Sequence, residues 1–382
     1  MTIDNQKQFT RGFLPDQDPL IHLPAPCAEW EAFGADLRKL VLTRHLRKQV
    51  LDLPDFPLDA LQTEAEQWRA ANLFAYLTSL YVLGSHNEHV QTVPAKLSVP
   101  FHTIASKLGI PPILSYALQG LVNWRKIDPN GPIAAENLTL LQNFLGGMDE
   151  EWFVTLHTEI EANAAPAVLC LKPLQSAMQD GDYAAAETHL TTIGDTLQVM
   201  YDILGKMQER CDPYIYFNRV RPFMFGWKDN EMFPDGVLYE GVEAYQNRPV
   251  QLRGETGAQS SIVPAIDAAL GIQHERDEMR VYLIEMFDYM PPSDRNLIYE
   301  LQQGFNVREA IVGLGSAGAN LRSAYNHAVE KLGQFRIRHI EYAALYILKP
   351  ANTKEGVGTG GTPFTFYLKK HIEETKRHIL KA

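Results

Sequence analysis

The 382-residue chain predicts an all-α protein, long enough for two domains or for one large domain carrying a smaller one. Three observations carry that class. Apolar residues recur at steps of three and four through several long stretches, the spacing of one helix face. Strand-like alternation is scarce throughout. Prolines cluster where helices start or chains turn, positions at which a missing N–H does little harm. The length allows two domains, and 45% hydrophobic with 21% charged residues is ordinary for a globular chain.

Up to Pro57 the chain is proline-rich at both ends and reads as irregular structure around one helix near Glu29–Leu51. A helix over Leu58–Leu83 follows, with Leu61, Ala65 and Trp68 on one face. A short helix comes after Pro100, and Pro111-Pro112 opens another that runs to Trp124. Asp128 to Pro132 is a turn. The second half begins near Asp149 and carries a strong helical stripe, Leu190, Ile193, Leu197, Met200, Leu204 and Met207. Residues 222–262, rich in Gly and Pro, predict a long functional loop. Helices resume at Val263–Leu270, Glu275–Tyr289, Asp294–Gln302, Val307–Val312 and Asn320–Leu348.

The formal charge of -11 argues against a nucleic-acid surface. Near the C-terminus Lys369, Lys370, Lys376, Arg377 and Lys381 alternate with Glu373 and Glu374, which predicts a solvated helix face. The first residues lack the apolar core of a signal peptide. The uncharged stretches Ala70–Asn87 and Leu108–Trp124 are interrupted by polar residues or prolines, so they predict buried helices rather than membrane spans. Three scattered cysteines, Cys27, Cys170 and Cys211, suit a reducing cytoplasm and form neither a disulfide framework nor a zinc motif.

Two glycine runs imitate nucleotide motifs. Gly313-Leu-Gly315-Ser-Ala-Gly318 has dinucleotide spacing, but a short helix capped by Asn306, with Glu309 three residues on, precedes it where a strand is required. Gly356 to Thr362 lacks the P-loop lysine and reads either as a linker or as a mobile lid offering the Thr359 hydroxyl.

The chemistry concentrates elsewhere. Tyr325, Ala328, Leu332, Phe335, His339, Tyr342 and Tyr346 share one helix face, so an imidazole lies in an apolar seam. Burying it unpaired costs on the order of 1–3 kcal/mol, so it needs a partner, either a haem iron or a backbone carbonyl. Arg336 shares that face. Tyr214 to Trp227 combines aromatics with Arg219 and Arg221. It suits a flat apolar ligand bearing a carboxylate, or a core segment with its arginines reaching outward. Pro222 biases Arg221 toward an extended backbone. Phe153 and His157, four apart, form a second pocket wall or an amphipathic surface. His86 and His89 are three apart without a third ligand, a weak metal signal.

Taken together these stretches resemble the indoleamine 2,3-dioxygenase family of haem enzymes. The resemblance runs through Pro111–Tyr116, Asn123–Asn130, Arg221–Trp227, Leu238–Val242 and Gly257–Ser261. It continues through Tyr289–Asn296, Phe335–His339 and Gly358–Thr362. It implies a small helical domain over residues 1–140 that contributes part of the distal pocket. A catalytic domain over 141–382 would hold non-covalent haem b, with a mobile loop at about 350–362. By position His339 matches the proximal iron ligand, and Arg336 with Asp267 the salt-bridged pair beside the haem. Tyr116, Phe153, Tyr216, Phe217, Arg221 and Gly257 fall on substrate-pocket positions, and Thr359 on the closing loop. His157 stands where some relatives carry serine and resembles the distal histidine of tryptophan 2,3-dioxygenases. Tyr216 replaces a phenylalanine, Gln119 a cysteine, and Gly257-Ala258 an Ala-Gly pair.

The implied activity is insertion of O2 across the indole C2–C3 bond of L-tryptophan to give N-formylkynurenine, the first step of the kynurenine pathway. Action on another indole derivative, or haem sensing without turnover, is the alternative. An external electron donor would keep the iron ferrous. No nucleic-acid or membrane partner is implied, and the default is a cytoplasmic monomer.

Overall fold

The computed structural model describes residues 7–84, 88–275, 277–352, 358–360 and 364–381, with only the backbone for 364–368. His86, Gly356, Gly361 and Thr362, singled out above, lie outside them. Helices dominate, as expected. Among the described residues the longest strand is Thr10–Phe13, and the two sheets have two strands each. Thr92–Val93 runs parallel to Leu238–Tyr239, and Trp124–Lys126 antiparallel to Leu138–Leu140.

The helix expected from Leu58 begins at Glu64 instead and runs to Leu83, with a 3-10 turn at Leu58–Ala60 before it. Thr63 Oγ1 accepts the Glu66 N–H at 3.2 Å, and the Glu66 carboxylate accepts the Thr63 N–H at 2.7 Å. That reciprocal cap satisfies two otherwise orphaned donors. From Arg69 to Leu80 every side chain is buried, so this helix runs through the core. Arg69 is tolerated there because it pairs with Glu31 at 2.9 Å and Asn72 at 3.0 Å.

Other expected boundaries move as well. Instead of one helix over 29–51 there are three, Ala28–Ala35, Leu37–Leu42 and Leu46–Asp52, and Arg44 between the last two has φ +59°. A left-handed residue cannot continue a right-handed helix. The helix Ala95–Leu108 contains Pro100 instead of following it, because Leu97, Phe101, Ile104 and Leu108 share a buried face that outweighs one lost hydrogen bond. Beyond Pro111-Pro112 the chain forms only a single wide turn, Ala117–Leu121. The Tyr116 N–H before it is taken by Gln259 at 2.9 Å.

In the second half Ala319–Ala343 packs along Tyr183–Gly205, which packs on Ala165–Asp180. The Leu190–Leu204 stripe forms that buried seam. Asn306 caps Val307–Gly313 by accepting the Glu309 N–H at 3.1 Å. Gly315–Gly318 is then a 3-10 reversal between helices, which excludes dinucleotide geometry there. The C-terminal helix Phe364–Arg377 corrects an expectation, since His371, Glu374 and Thr375 are buried while Lys376 and Arg377 face water. One side of that helix lies over residues 273–275, where Glu374 meets His274 at 2.7 Å.

Thr10–Phe13 packs on Met148–Asn163 and Ala165–Asp180, and the buried core is continuous from Phe13 to Leu380. Among the described residues no helix is long and apolar enough to cross a membrane.

Candidate active site

The final turns of Ala319–Ala343, the helix Met148–Asn163, the Tyr216–Phe223 turn and the 254–260 loop enclose a cavity of about 1030 Å³. That is at the upper end of small-molecule sites, which span roughly 300–1,000 Å³. Its lining brings together residues far apart in sequence, Tyr116, Phe153 and His157 with Tyr216, Arg221, Gly257 and Asp267, and with Arg336, His339 and Thr359.

His339 projects from Ala319–Ala343, and what surface its ring exposes opens onto the cavity. No hydrogen bond from a described residue engages it. Burial, helped by the nearby His157, pulls its pKa down to about 4, so the ring is neutral and carries a free lone pair. Gly257 lies near the ring, for a Cβ there would sit 3.9 Å from Nε2, an ordinary contact. Three residues earlier Arg336 pairs with Asp267 of Ile262–Leu270 at 2.5 Å and donates to Thr375 Oγ1. His274 Nε2 lies 3.2 Å from the same carboxylate. Burial would raise Asp267, but Arg336 and His274 outweigh it and hold the carboxyl well below its usual range.

On the opposite wall His157 Nδ1 stands 2.7 Å from the Phe153 carbonyl. A carbonyl only accepts, so Nδ1 carries the proton and the neutral ring leaves Nε2 as an acceptor. Burial lowers the pKa and favours that neutral form. The Phe153 ring packs between His157 and Tyr216, with centroids 4.6 Å from each. Tyr116 O–H donates to Glu161 at 2.9 Å, and Ser260 donates to the same oxygen at 2.7 Å. Burial pushes Glu161 up to about 7.

Arg221 opens the 3-10 turn Arg221–Phe223 with helical angles, φ -53° and ψ -38°, rather than the extended backbone expected before Pro222. The wide turn Tyr216–Val220 feeds directly into it and imposes that geometry. Its guanidinium lies 4.7 Å from the Phe225 ring centre and 5.5 Å from Phe217. Phe217 therefore braces the arginine from outside the cavity lining, while Tyr216 supplies the wall. Thr359 Oγ1 donates to the Glu255 carbonyl, and the Arg253 guanidinium holds the Gly360 carbonyl at 2.7 Å. Behind this wall two backbones cross in near contact. A Cβ on Gly226 would meet the Gly254 nitrogen at 2.0 Å, and one on Gly254 the Met224 oxygen at 2.2 Å.

Sequence reasoning missed two features. Besides the expected Asp267, two further acids, Glu255 and Asp277, line the cavity. The clue for Glu255 was an acid embedded in a glycine-rich functional loop. Burial alone pushes it up to about 8. His274, His371 and Glu374 also gather with donor atoms within 4.8 Å of one another, an arrangement too dispersed in sequence to form a motif.

A family model described as indoleamine 2,3-dioxygenase matches residues 6–378. The chain is 34% identical over 378 residues to indoleamine 2,3-dioxygenase 1 of Rattus norvegicus, covering 95% of this chain and 92% of that one. It is 31% identical over 385 residues to indoleamine 2,3-dioxygenase 2 of Homo sapiens, with 97% and 93% covered. Similarity extends to a 6-hydroxytryptophan 2,3-dioxygenase of Fusarium equiseti, at 30% over 349 residues, with 90% and 84% covered. Since the match spans both walls of the cavity and nearly every element around them, this chain belongs to the indoleamine 2,3-dioxygenase family.

Proposed function

We propose that the protein is a haem-dependent dioxygenase that inserts both atoms of O2 across the C2–C3 bond of L-tryptophan, giving N-formylkynurenine. The observation that carries this reading is a pair of neutral imidazoles lining one cavity, His339 without a hydrogen-bond partner among the described residues and His157 with Nδ1 committed to the Phe153 carbonyl, which leaves Nε2 as acceptor. The donor set fits haem b, since a neutral imidazole whose ring lines the cavity suits an axial ligand. His339 would hold the iron. The Arg336–Asp267 pair would fix the helix three residues before it.

When bound, the haem supplies the oxygen-activating redox chemistry. The protein's own residues supply placement. Arg221 binds the substrate carboxylate, Phe153, Tyr216 and Tyr116 enclose the indole, and His157 Nε2 accepts the indole N–H. Thr359, anchored to the Glu255 carbonyl, closes the amino-acid end against water. The reading takes residues 1–140 as a smaller lobe and the protein as a cytoplasmic monomer served by an external electron donor.

A ring-modified indole is the second reading, favoured by the similarity to a 6-hydroxytryptophan 2,3-dioxygenase. The deciding experiment reconstitutes the protein with haem, records the ferrous–CO spectrum, and follows O2 uptake and product with a panel of indoles. A histidine-ligated spectrum with N-formylkynurenine from L-tryptophan is expected. Protein that stays colourless overturns the cofactor assignment, and haem without turnover leaves a sensor.

A further inference from the structure

Each acid on the cavity wall raises the question of what neutralises it. Asp267 is held by Arg336 and His274, and Asp277 by Lys370 at 2.5 Å. Glu255 differs. It is 4% exposed, it lines the cavity, and its carboxyl makes no hydrogen bond or ion pair with a described residue. Its backbone is firmly placed, for its N–H donates to the Met224 carbonyl at 3.1 Å and its carbonyl accepts the Thr359 hydroxyl. Met224 N–H in turn donates to the Arg221 carbonyl at 3.0 Å. Glu255 and Arg221 thus stand on neighbouring stretches at the same end of the cavity.

We propose that Glu255 is the counter-ion for the α-ammonium of the substrate, completing with Arg221 a two-ended clamp for a zwitterionic amino acid. The proposal rests on the dioxygenase reading for the identity of that substrate. An amino acid carries one anion and one cation out of water, and each is costly to bury unless paired. Arg221 answers only the anion. Among the described wall residues, Glu255 is the one acid not already claimed by a protein cation. An arriving ammonium favours the charged form of a carboxyl that burial otherwise keeps protonated, so ligand and proton compete for it. Without such a ligand, an unpaired carboxyl here only costs the fold stability. The clamp predicts selection for indoles bearing both an amine and a carboxylate over their des-amino counterparts.

The test uses the haem-loaded, full-length protein, with binding read from the haem absorption band. The probes are L-tryptophan, tryptamine, indole-3-propionate and 3-ethylindole. Glu255→Gln should weaken L-tryptophan and tryptamine by about 10- to 100-fold, the range for losing a hydrogen bond to a charged group. It should leave indole-3-propionate unchanged or tighter. Affinity of the unaltered protein for L-tryptophan should rise with pH until the ligand amine deprotonates, and the variant should lose that dependence. Equal losses for L-tryptophan and indole-3-propionate, or no loss for L-tryptophan, overturn the clamp. If the variant fails to fold, the unaltered protein decides, because tryptamine must then bind about tenfold or more tightly than 3-ethylindole, and parity overturns the proposal. Tight, amine-dependent binding without O2 uptake would support the clamp while the dioxygenase reading fails alone.

Discussion

A single hydrogen bond sets the chemistry of His157. Because Nδ1 is committed to the Phe153 carbonyl, the ring can present only an acceptor to the cavity. His157→Phe should therefore lower kcat/KM for L-tryptophan by about 1.5–3 kcal/mol, and should also erase the preference for tryptophan over its N1-methyl derivative. Retained discrimination between those two substrates would assign the acceptor to another group. His339 makes a sharper prediction. His339→Ala should not retain haem, and added imidazole should restore the absorption band, whereas a variant that keeps its haem unaided would move the ligand elsewhere. His339 was visible in the sequence because a periodic apolar seam makes one ionisable ring conspicuous. Glu255 was not, because a loop offers no periodicity against which an acid stands out.

At the scale of elements, long periodic helices were legible and the joins between them were not. Ala319–Ala343 and Tyr183–Gly205 appear where their stripes place them. The split of 29–51 and the passage of the Ala95 helix through Pro100 depend on burial against distant segments, which local pattern does not encode. The loop behind the cavity wall is held by close backbone packing. Gly254→Ala would drive a Cβ to 2.2 Å from the Met224 oxygen. Overpacking of this kind typically costs about 1–3 kcal/mol or more, so the thermal midpoint should fall and ligand affinity with it. A variant with unchanged midpoint and affinity would show that the wall yields freely.

For the whole molecule, buried titratable groups set how stability depends on pH. Burial pushes Glu150 and Glu161 up to about 7, and Glu255 to about 8. An acid with a raised folded pKa binds its proton more tightly when native, so its contribution is lost as pH rises through that value, by up to about 1.4 kcal/mol per unit. Buried histidines act oppositely. Burial pulls His339 and His371 down to about 4, so below their ordinary 6.5 the native state resists protonation and stability falls on acidification. The two trends oppose each other below 6.5, and of these groups only the glutamates act above it. The haem-free protein should therefore lose thermal stability between pH 6.5 and 8, and Glu150→Gln should flatten the decline up to about pH 7, leaving the part that Glu255 carries. A midpoint that rises across that window would show that these carboxyls are ionised and compensated in the native state.

The crossing of Gly226 and Gly254 also bears on how such an enzyme can diversify. Two backbones in near contact leave no freedom to lengthen or re-route the loop that carries residues 255–257 without displacing the turn that carries Arg221. The shape of this end of the cavity is therefore open to change by side-chain replacement at Glu255, Thr256 and Gly257, which line it, on an unchanged backbone frame.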